Sequence, residues 1–271
     1  MSGSVKKRFT GVFRDGGAGS WAGRRYAERR RKLMRREGKL IALTGVPYGP
    51  GQETGWAYAH LPTYQEPAIM YLTGINQSKV ILLLDPSSRR SKEILFIDRK
   101  NREMEFWDGY RFGVGDPKSL DEVRKVTGFT DIRDIAEFES VLCKRFQRLK
   151  KKELGTLWLA GKEGNKKRVF KGDHNWNFKV RLERLLKKWK APKDCLKNIM
   201  ENHFDLRLPL DKYDVENSLR ANLLTTEAFK ATLKEFRGLR NECEVGGFLE
   251  GQMLMRSPYG LSFPSIIASG S

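Results

Sequence analysis

The chain has 271 residues, 39% hydrophobic and 11% aromatic, with six Trp and fifteen Phe, enough large apolar surface to argue against a disordered chain. Lys and Arg number 52 against 33 Asp and Glu, and a net charge of +19 with a pI near 9.9 creates a field that draws anionic partners without specificity. Three widely spaced cysteines with no CxxC exclude a disulfide framework, and nothing approaches the ~20 apolar residues of a membrane span, so we expect a cytoplasmic protein with no membrane partner.

Residues 1–20 are rich in Gly, Ser and Arg without periodicity and read as a flexible basic tail. From Trp21 to Glu37, Tyr26, Leu33 and Met34 recur at helical spacing among Arg and Lys, which predicts an amphipathic helix with a very basic outer face, stopped by Gly38. Residues 39–46 predict a strand. The apolar runs at 80–84 and 94–97 lack alternation, as strands covered on both faces do, and the Pro-Ser-Ser-Arg-Arg-Ser stretch between them predicts a turn. Ser119 and Glu122 form a capping-box signature for a helix ending at Gly128, and a further helix is predicted over about 135–148. Then come a strand at 156–160, a polar loop at 161–175, and a helix at 178–190 ended by Pro192. The basic side of that last helix reads as solvated surface, because Trp189 falls on its apolar stripe. Residues 207–214, with Pro209, read as an interdomain connector, and Thr225 and Thr226 as caps of a helix through Arg237 with Phe229, Leu233 and Phe236 on its apolar face. Strands alternating with helices predict an α/β layer.

The chemistry-bearing residues are sparse. His60, His174 and His203 stand at no metal-ligand spacing and none is near a cysteine. There is no GxSxG elbow, phosphate loop or kinase signature set. Asp85, Asp98 and Asp108 end or follow strands, but no partner base or metal-ligand spacing singles them out.

Several segments resemble one family. The helix beginning Tyr26-Ala-Glu-Arg-Arg-Arg and the strand after it, residues 65–74 with Tyr71-Leu-Thr-Gly, and above all the ordered set Glu105, Trp107, Gly109, Arg111, Gly113 after a buried strand are similar to the N-terminal domain shared by aminopeptidase P, prolidase and creatinase. Leu249-Glu-Gly and residues 262–270 look like the start of that family's second, "pita-bread" metallopeptidase domain. Tyr64 and Ala68 depart from the family pattern, and Pro209 and Leu210 stand where a basic residue is common.

The resemblance implies an α/β fold: a mixed sheet flanked by helices over 21–205, then an incomplete α+β pita-bread domain over 206–271. It implies the N-terminal portion of an X-Pro aminopeptidase, which in full length releases the residue before proline using two Mn²⁺ ions. The ligands for those ions come later than this sequence reaches, so we expect no catalytic residue, no metal ligand, no bound cofactor and no activity from this chain alone. The family also implies self-association into a homo-oligomer, and proline-containing peptides as ligands only with the catalytic domain present. Tyr71, Trp107, Asp108 and Arg111 are the candidate cleft or subunit-interface residues. Gly109 and Gly113 are expected to permit positive φ and close packing. A non-catalytic protein- or nucleic-acid-binding module of the same fold is the alternative, the latter resting on the charge alone.

Overall fold

A computed structural model describes residues 21–47, 65–108, 110–159, 173–256, 261 and 265–269. In chain order its elements are α1 (Trp21–Glu37), β1 (Leu40–Thr44), α2 (Pro67–Thr73), β2 (Ile81–Leu84), β3 (Glu93–Ile97), α3 (Arg102–Asp108), α4 (Pro117–Thr127), β4 (Asp131–Asp134), a 3₁₀ turn (Ile135–Glu137) leading into α5 (Phe138–Arg148), β5 (Leu154–Thr156), α6 (His174–Lys188), β6 (Leu196–Asn198), α7 (Met200–Arg207), α8 (Lys212–Glu235) and α9 (Glu242–Arg256). They divide into two compact units between Leu208 and Pro209.

The first unit is built on a six-stranded sheet in the order β4-β3-β2-β1-β5-β6. β2 runs antiparallel to both β1 and β3, while β3–β4, β1–β5 and β5–β6 are parallel. This is the mixed sheet with flanking helices that the family resemblance implies; the alternation of elements predicts only an α/β layer. Successive strand residues point to opposite faces, so each apolar run feeds two cores. Ile41, Leu43, Leu82, Leu84, Leu95 and Ile97 pack with Leu33 of α1, Leu72 of α2 and Val123 of α4. Leu40, Ala42, Leu83, Ile94 and Phe96 pack with Phe138 and Leu142 of α5 and Leu182 of α6. Each fully buried Leu, Ile or Phe contributes roughly 1.5–3 kcal/mol of transfer free energy, which makes the two-faced sheet the main source of stability.

Buried polar groups pin the helices to this sheet. Arg30 is 0% exposed. Its Nε donates to Glu93 Oε2 at 2.9 Å, and its NH1 donates to the carbonyls of Leu72 and Thr127, each at 2.9 Å, at the C-terminal ends of α2 and α4. Those carbonyls lack intrahelical partners, so one guanidinium satisfies two helix ends and a carboxylate together. Its NH2 makes an ion-pair contact of 2.8 Å with the same Glu93 oxygen, outside hydrogen-bond alignment, and the group stacks 3.7 Å from the Phe129 ring centroid. Burial lowers its pKa from the usual arginine value, with Glu93 opposing that shift. Both helix ends close on left-handed glycines, Gly74 (φ 69°) and Gly128 (φ 74°). At Gly128 a Cβ would also lie 2.5 Å from the Gly23 carbonyl oxygen, so α1 and α4 approach through glycines.

In the second unit, Asp211 and Asp214 form a reciprocal capping box that opens α8. Ala228, Thr232 and Leu249 are buried where α8 and α9 meet. A long apolar series on α8 is exposed: Val215, Leu219, Leu223 (65%), Phe229 and Leu233 (67%), followed by Phe236.

Several expectations need correction. Arg30 does not belong to a solvated basic face; it is a core residue, because three carbonyl or carboxylate acceptors converge on it. Ser119 does not cap α4. Asp116 does, ahead of Pro117, and the Ser119 hydroxyl instead accepts from Gly113 N at 2.9 Å. The strand expected at 156–160 is β5 at Leu154–Thr156, and Leu159 is exposed. α6 starts at His174, four residues early, because Asp173 caps Asn175 N and Trp176 N. Thr225 and Thr226 lie inside α8, which the capping box starts at Lys212. The edge strands β4 and β6 were not foreseen. The expected tail at 1–20, residues 161–172 of the loop expected at 161–175, Tyr64, His60 and Gly109 lie outside the described residues, as do 262–264 and 270 of the stretch 262–270.

Candidate functional site

The candidate residues sit on two separate constructions in the first unit. Tyr71 lies on α2, half-buried, with its hydroxyl donating to Leu206 O of α7 at 3.1 Å. The Arg29 guanidinium is 3.9 Å from its ring centroid and donates to its carbonyl oxygen at 3.2 Å. The buried His203 ring stands edge-on to it, 6.1 Å between centroids. His203 Nε2 is buried without a hydrogen-bond partner. Burial, with a contribution from Arg207, pushes its pKa down to about 4, so the ring is neutral near pH 7.

Arg111 belongs to a segment stitched down from every side. Residues 98–100 and 114 form a bridge, with Lys100 N donating to Val114 O and Val114 N to Asp98 O, both at 2.9 Å. Gln77 acts as a substitute strand: its amide donates to Phe112 O at 3.1 Å and accepts from Phe112 N at 2.9 Å. Glu105 accepts from Arg111 N at 2.9 Å and pairs with the Lys100 ammonium. That ammonium also donates to Arg111 O and sits 3.7 Å from the Tyr110 ring centroid. The Arg111 guanidinium reaches Ser78, 2.8 Å to Oγ and 3.2 Å to the carbonyl. Tyr110 donates to Glu122 Oε2 at 2.6 Å, and burial, followed by that hydrogen bond, raises the phenol pKa well above its usual value, which removes it as an acid or base near pH 7. Gly113 does not have positive φ, contrary to expectation; its role is close packing, since a Cβ would come within 2.5 Å of the Lys100 backbone.

Trp107 and Asp108 close α3, while their side chains lie outside the described set. Among the described hydrogen bonds, Tyr71 is tied to α1 and α7 and Arg111 to the segment around Ser78 and Lys100. Sequence reading missed the residues that hold Arg111 in place, namely Gln77, Ser78 and Lys100. Only Lys100 lies near the Trp-Asp-Gly-Tyr-Arg stretch; Gln77 and Ser78 gave no signal, because nothing in one sequence says which distant polar residue pairs with a loop backbone.

Beside Arg111 lies a cleft of about 740 Å³, lined among others by Lys79, Asp98, Arg99, Arg102, Phe112 and Asp134, at the carboxyl ends of the parallel strands β3 and β4. That is where open α/β sheets place ligands. Its charges are mostly paired, Lys79 with Asp98 at 3.3 Å and Arg99 with Asp134 at 2.5 Å. Lys79 holds a left-handed backbone (φ 58°), a strained geometry for a residue with a side chain.

The carboxylates and histidines do not assemble into a metal site. Among the described residues no group of three or more His, Cys, Asp or Glu side chains could hold a metal ion. The nearest approach is Glu66, whose Oε2 pairs with His174 Nε2 at 2.8 Å and accepts from Asn175 Nδ2 at 3.0 Å. Asp85 is buried against Arg145 and Ser87. The described residues therefore do not fit a dinuclear metal centre, and we derive no hydrolytic step from them. The three cysteines are free thiols. No described helix is long and apolar enough to cross a membrane.

The comparisons with known proteins fit this geometry. The family described as aminopeptidase P, N-terminal domain, matches residues 26–154. Xaa-Pro aminopeptidase 3 of Rattus norvegicus is 23% identical over 212 residues, covering 77% of this chain and 38% of its own length. The Homo sapiens protein of that name is 22% identical over 261 residues, covering 91% and 47%. Among solved structures, proline aminopeptidase P II from Yersinia pestis matches with a TM-score of 0.65 at 16% identity, covering 86% of this chain and 50% of its own. Aminopeptidase PepP of Pseudomonas aeruginosa gives 0.65 at 19%, covering 85% and 48%. These likenesses establish the fold. The chain spans about half the length of the relatives it matches, or less.

Proposed function

Since residues 26–154 match the family described as aminopeptidase P, N-terminal domain, we propose that this chain is the N-terminal portion of a metal-dependent X-Pro aminopeptidase, with its Arg111 segment forming a wall of a peptide cleft. The observation that carries the reading is the fixation of that segment. Gln77, Glu105, Lys100 and Ser78 hold its backbone and its arginine, and rigid placement is what a substrate-positioning element requires. An arginine fork held this way can bind a peptide carbonyl or carboxylate at a fixed angle. The reading assigns the two manganese ions and the bond cleavage to residues other than those described.

The test is an X-Pro peptide assay with added Mn²⁺ on this chain, run beside the longest product its gene region encodes. We expect turnover in the longer product only. In that product Arg111→Lys should raise KM more than it lowers kcat, the signature of a lost binding contact made equally in the ground and transition states. Turnover by this chain alone, with stoichiometric Mn²⁺ uptake in calorimetry, would overturn the assignment of the metal elsewhere. Turnover in neither product would favour the second reading, a non-catalytic protein- or nucleic-acid-binding module.

A further inference from the structure

A second pocket of about 510 Å³ opens at the opposite end of β2 from the Arg111 cleft. Its lining includes Lys39, Ser87, Ser88, Arg89, Arg145 and Arg148, followed by Lys150 and Lys151. Two acids also line it, and both are already engaged. Asp85 takes Arg145 at 3.2 Å and the Ser87 hydroxyl at 2.6 Å, and Glu153 pairs with Lys151 at 3.1 Å. Lys39 is matched by Glu37 at 2.6 Å. Arg89, Arg148 and Lys150 are exposed and have no acidic partner among the described residues. The α5 C-terminus would repel an anion here, but the Lys152 ammonium covers its Phe146 and Gln147 carbonyls. The contrast with the Arg111 cleft is informative, since most of the cations there are matched one for one by carboxylates.

Three unmatched cations converging on a concave site repel one another, and an anion with several separated charged oxygens relieves that repulsion. Arginine forks match phosphate oxygens in pairs, serine hydroxyls donate to the same atoms, and a volume of 510 Å³ falls in the range of small-ligand sites. We propose that this pocket binds a multiply charged phosphate ester of mononucleotide size, with Arg89, Arg148 and Lys150 supplying the charge and Ser88, whose hydroxyl accepts from Arg145 and keeps its own proton, the neutral donor. The site is independent of any peptidase activity.

Inorganic tripolyphosphate, titrated calorimetrically into the intact chain at about 0.15 M salt, is the probe. Equimolar, saturable binding is expected. Arg148→Glu and Lys150→Glu should each weaken it by roughly tenfold or more, the scale of losing a charge-assisted contact. Arg89→Ala should weaken it less, and it guards against a folding artefact of the charge reversals. Arg102→Glu and Lys188→Glu change the net charge equally but lie outside this pocket, and they should leave affinity within about twofold, because exposed charges beyond a Debye length are screened. Equal weakening by these two controls, or no binding heat at all, would overturn the proposal. So would a single-stranded oligonucleotide that binds without competition from tripolyphosphate, since the site would then be an extended strip rather than a pocket.

Discussion

The two units of this chain spend their apolar residues in opposite ways. The unit ending at Leu208 buries its leucines, isoleucines and phenylalanines on both faces of one sheet. The unit starting at Pro209 leaves Leu219, Leu223, Leu233 and Phe236 in solvent and buries little beyond Ala228 and Leu249. Charge divides the same way. From Pro209 onward seven Lys and Arg face eight Asp and Glu, so the whole excess of +19 arises before it. A sheet presents two faces per strand and draws helices to each, whereas a pair of helices can cover only one stripe apiece. Composition alone therefore says little about which residues stabilise this molecule.

The contrast can be broken most directly at Arg30. Arg30→Met strands the Glu93 carboxylate and the carbonyls of Leu72 and Thr127, and it should cost about 3–5 kcal/mol in denaturant unfolding. A loss under ~1 kcal/mol would mean that the buried network is not what joins α1 to α2 and α4.

Next in size is the response to pH. His203 has a folded pKa of about 4, below its unfolded value of 6.5. The unfolded chain therefore binds the proton first. The stability due to the neutral ring is complete above pH 6.5 and is lost as pH falls toward 4, up to about 3 kcal/mol. Burial raises the Glu66 pKa, but His174, Ala68 N and Asn175 outweigh it and hold that pKa below its ordinary value, so Glu66 adds to the loss in the same direction as pH falls. Melting temperatures across this window should fall for the wild-type chain and flatten in His203→Phe. An unchanged slope in that variant would place the titration elsewhere.

Gly128→Ala should cost about 1–3 kcal/mol, through positive φ and the clash with the Gly23 carbonyl. Gly247→Ala in α9, where a Cβ meets nothing, should instead be neutral or mildly stabilising. Equal effects at the two sites would erase the difference in packing between the units.

The smallest effect on stability is expected in α8. Leu219→Ser with Leu223→Ser should change unfolding free energy by no more than about 0.5 kcal/mol per site. The same pair should reduce self-association in light scattering, because exposed apolar series of this kind favour association. A wild-type chain that is already monomeric at high salt would sink that second expectation.

Much of the first unit was legible before any coordinates. α1 ends one residue before Gly38, and the 80–84 and 94–97 runs became β2 and β3 almost residue for residue. The Arg111 site was legible only as a stretch of sequence. Its clamps come from Gln77 and Ser78, more than thirty residues away, and single-sequence spacing carries no trace of such pairings. Trp107 and Asp108 entered by the same resemblance, and only their place at the end of α3 is known.

Local physics settled what could be settled locally. Helical spacing, uninterrupted apolar runs and glycine stops act within one or two turns of chain, so they identified α1, β1, β2, β3, the end of α4 and the apolar face of α6 from the sequence by itself. Tertiary structure decided the rest. β4, with Asp131, Arg133 and Asp134, is a strand only because β3 supplies its hydrogen bonds, and β6 depends on β5 in the same way. Arg30 is a core residue only because two helix ends and a glutamate meet around it. Asp116 rather than Ser119 caps α4 because Ser119 is claimed by the Gly113 backbone. In each case the partner is distant along the chain, and the energy of pairing a buried polar group outweighs the local preference that the sequence displays.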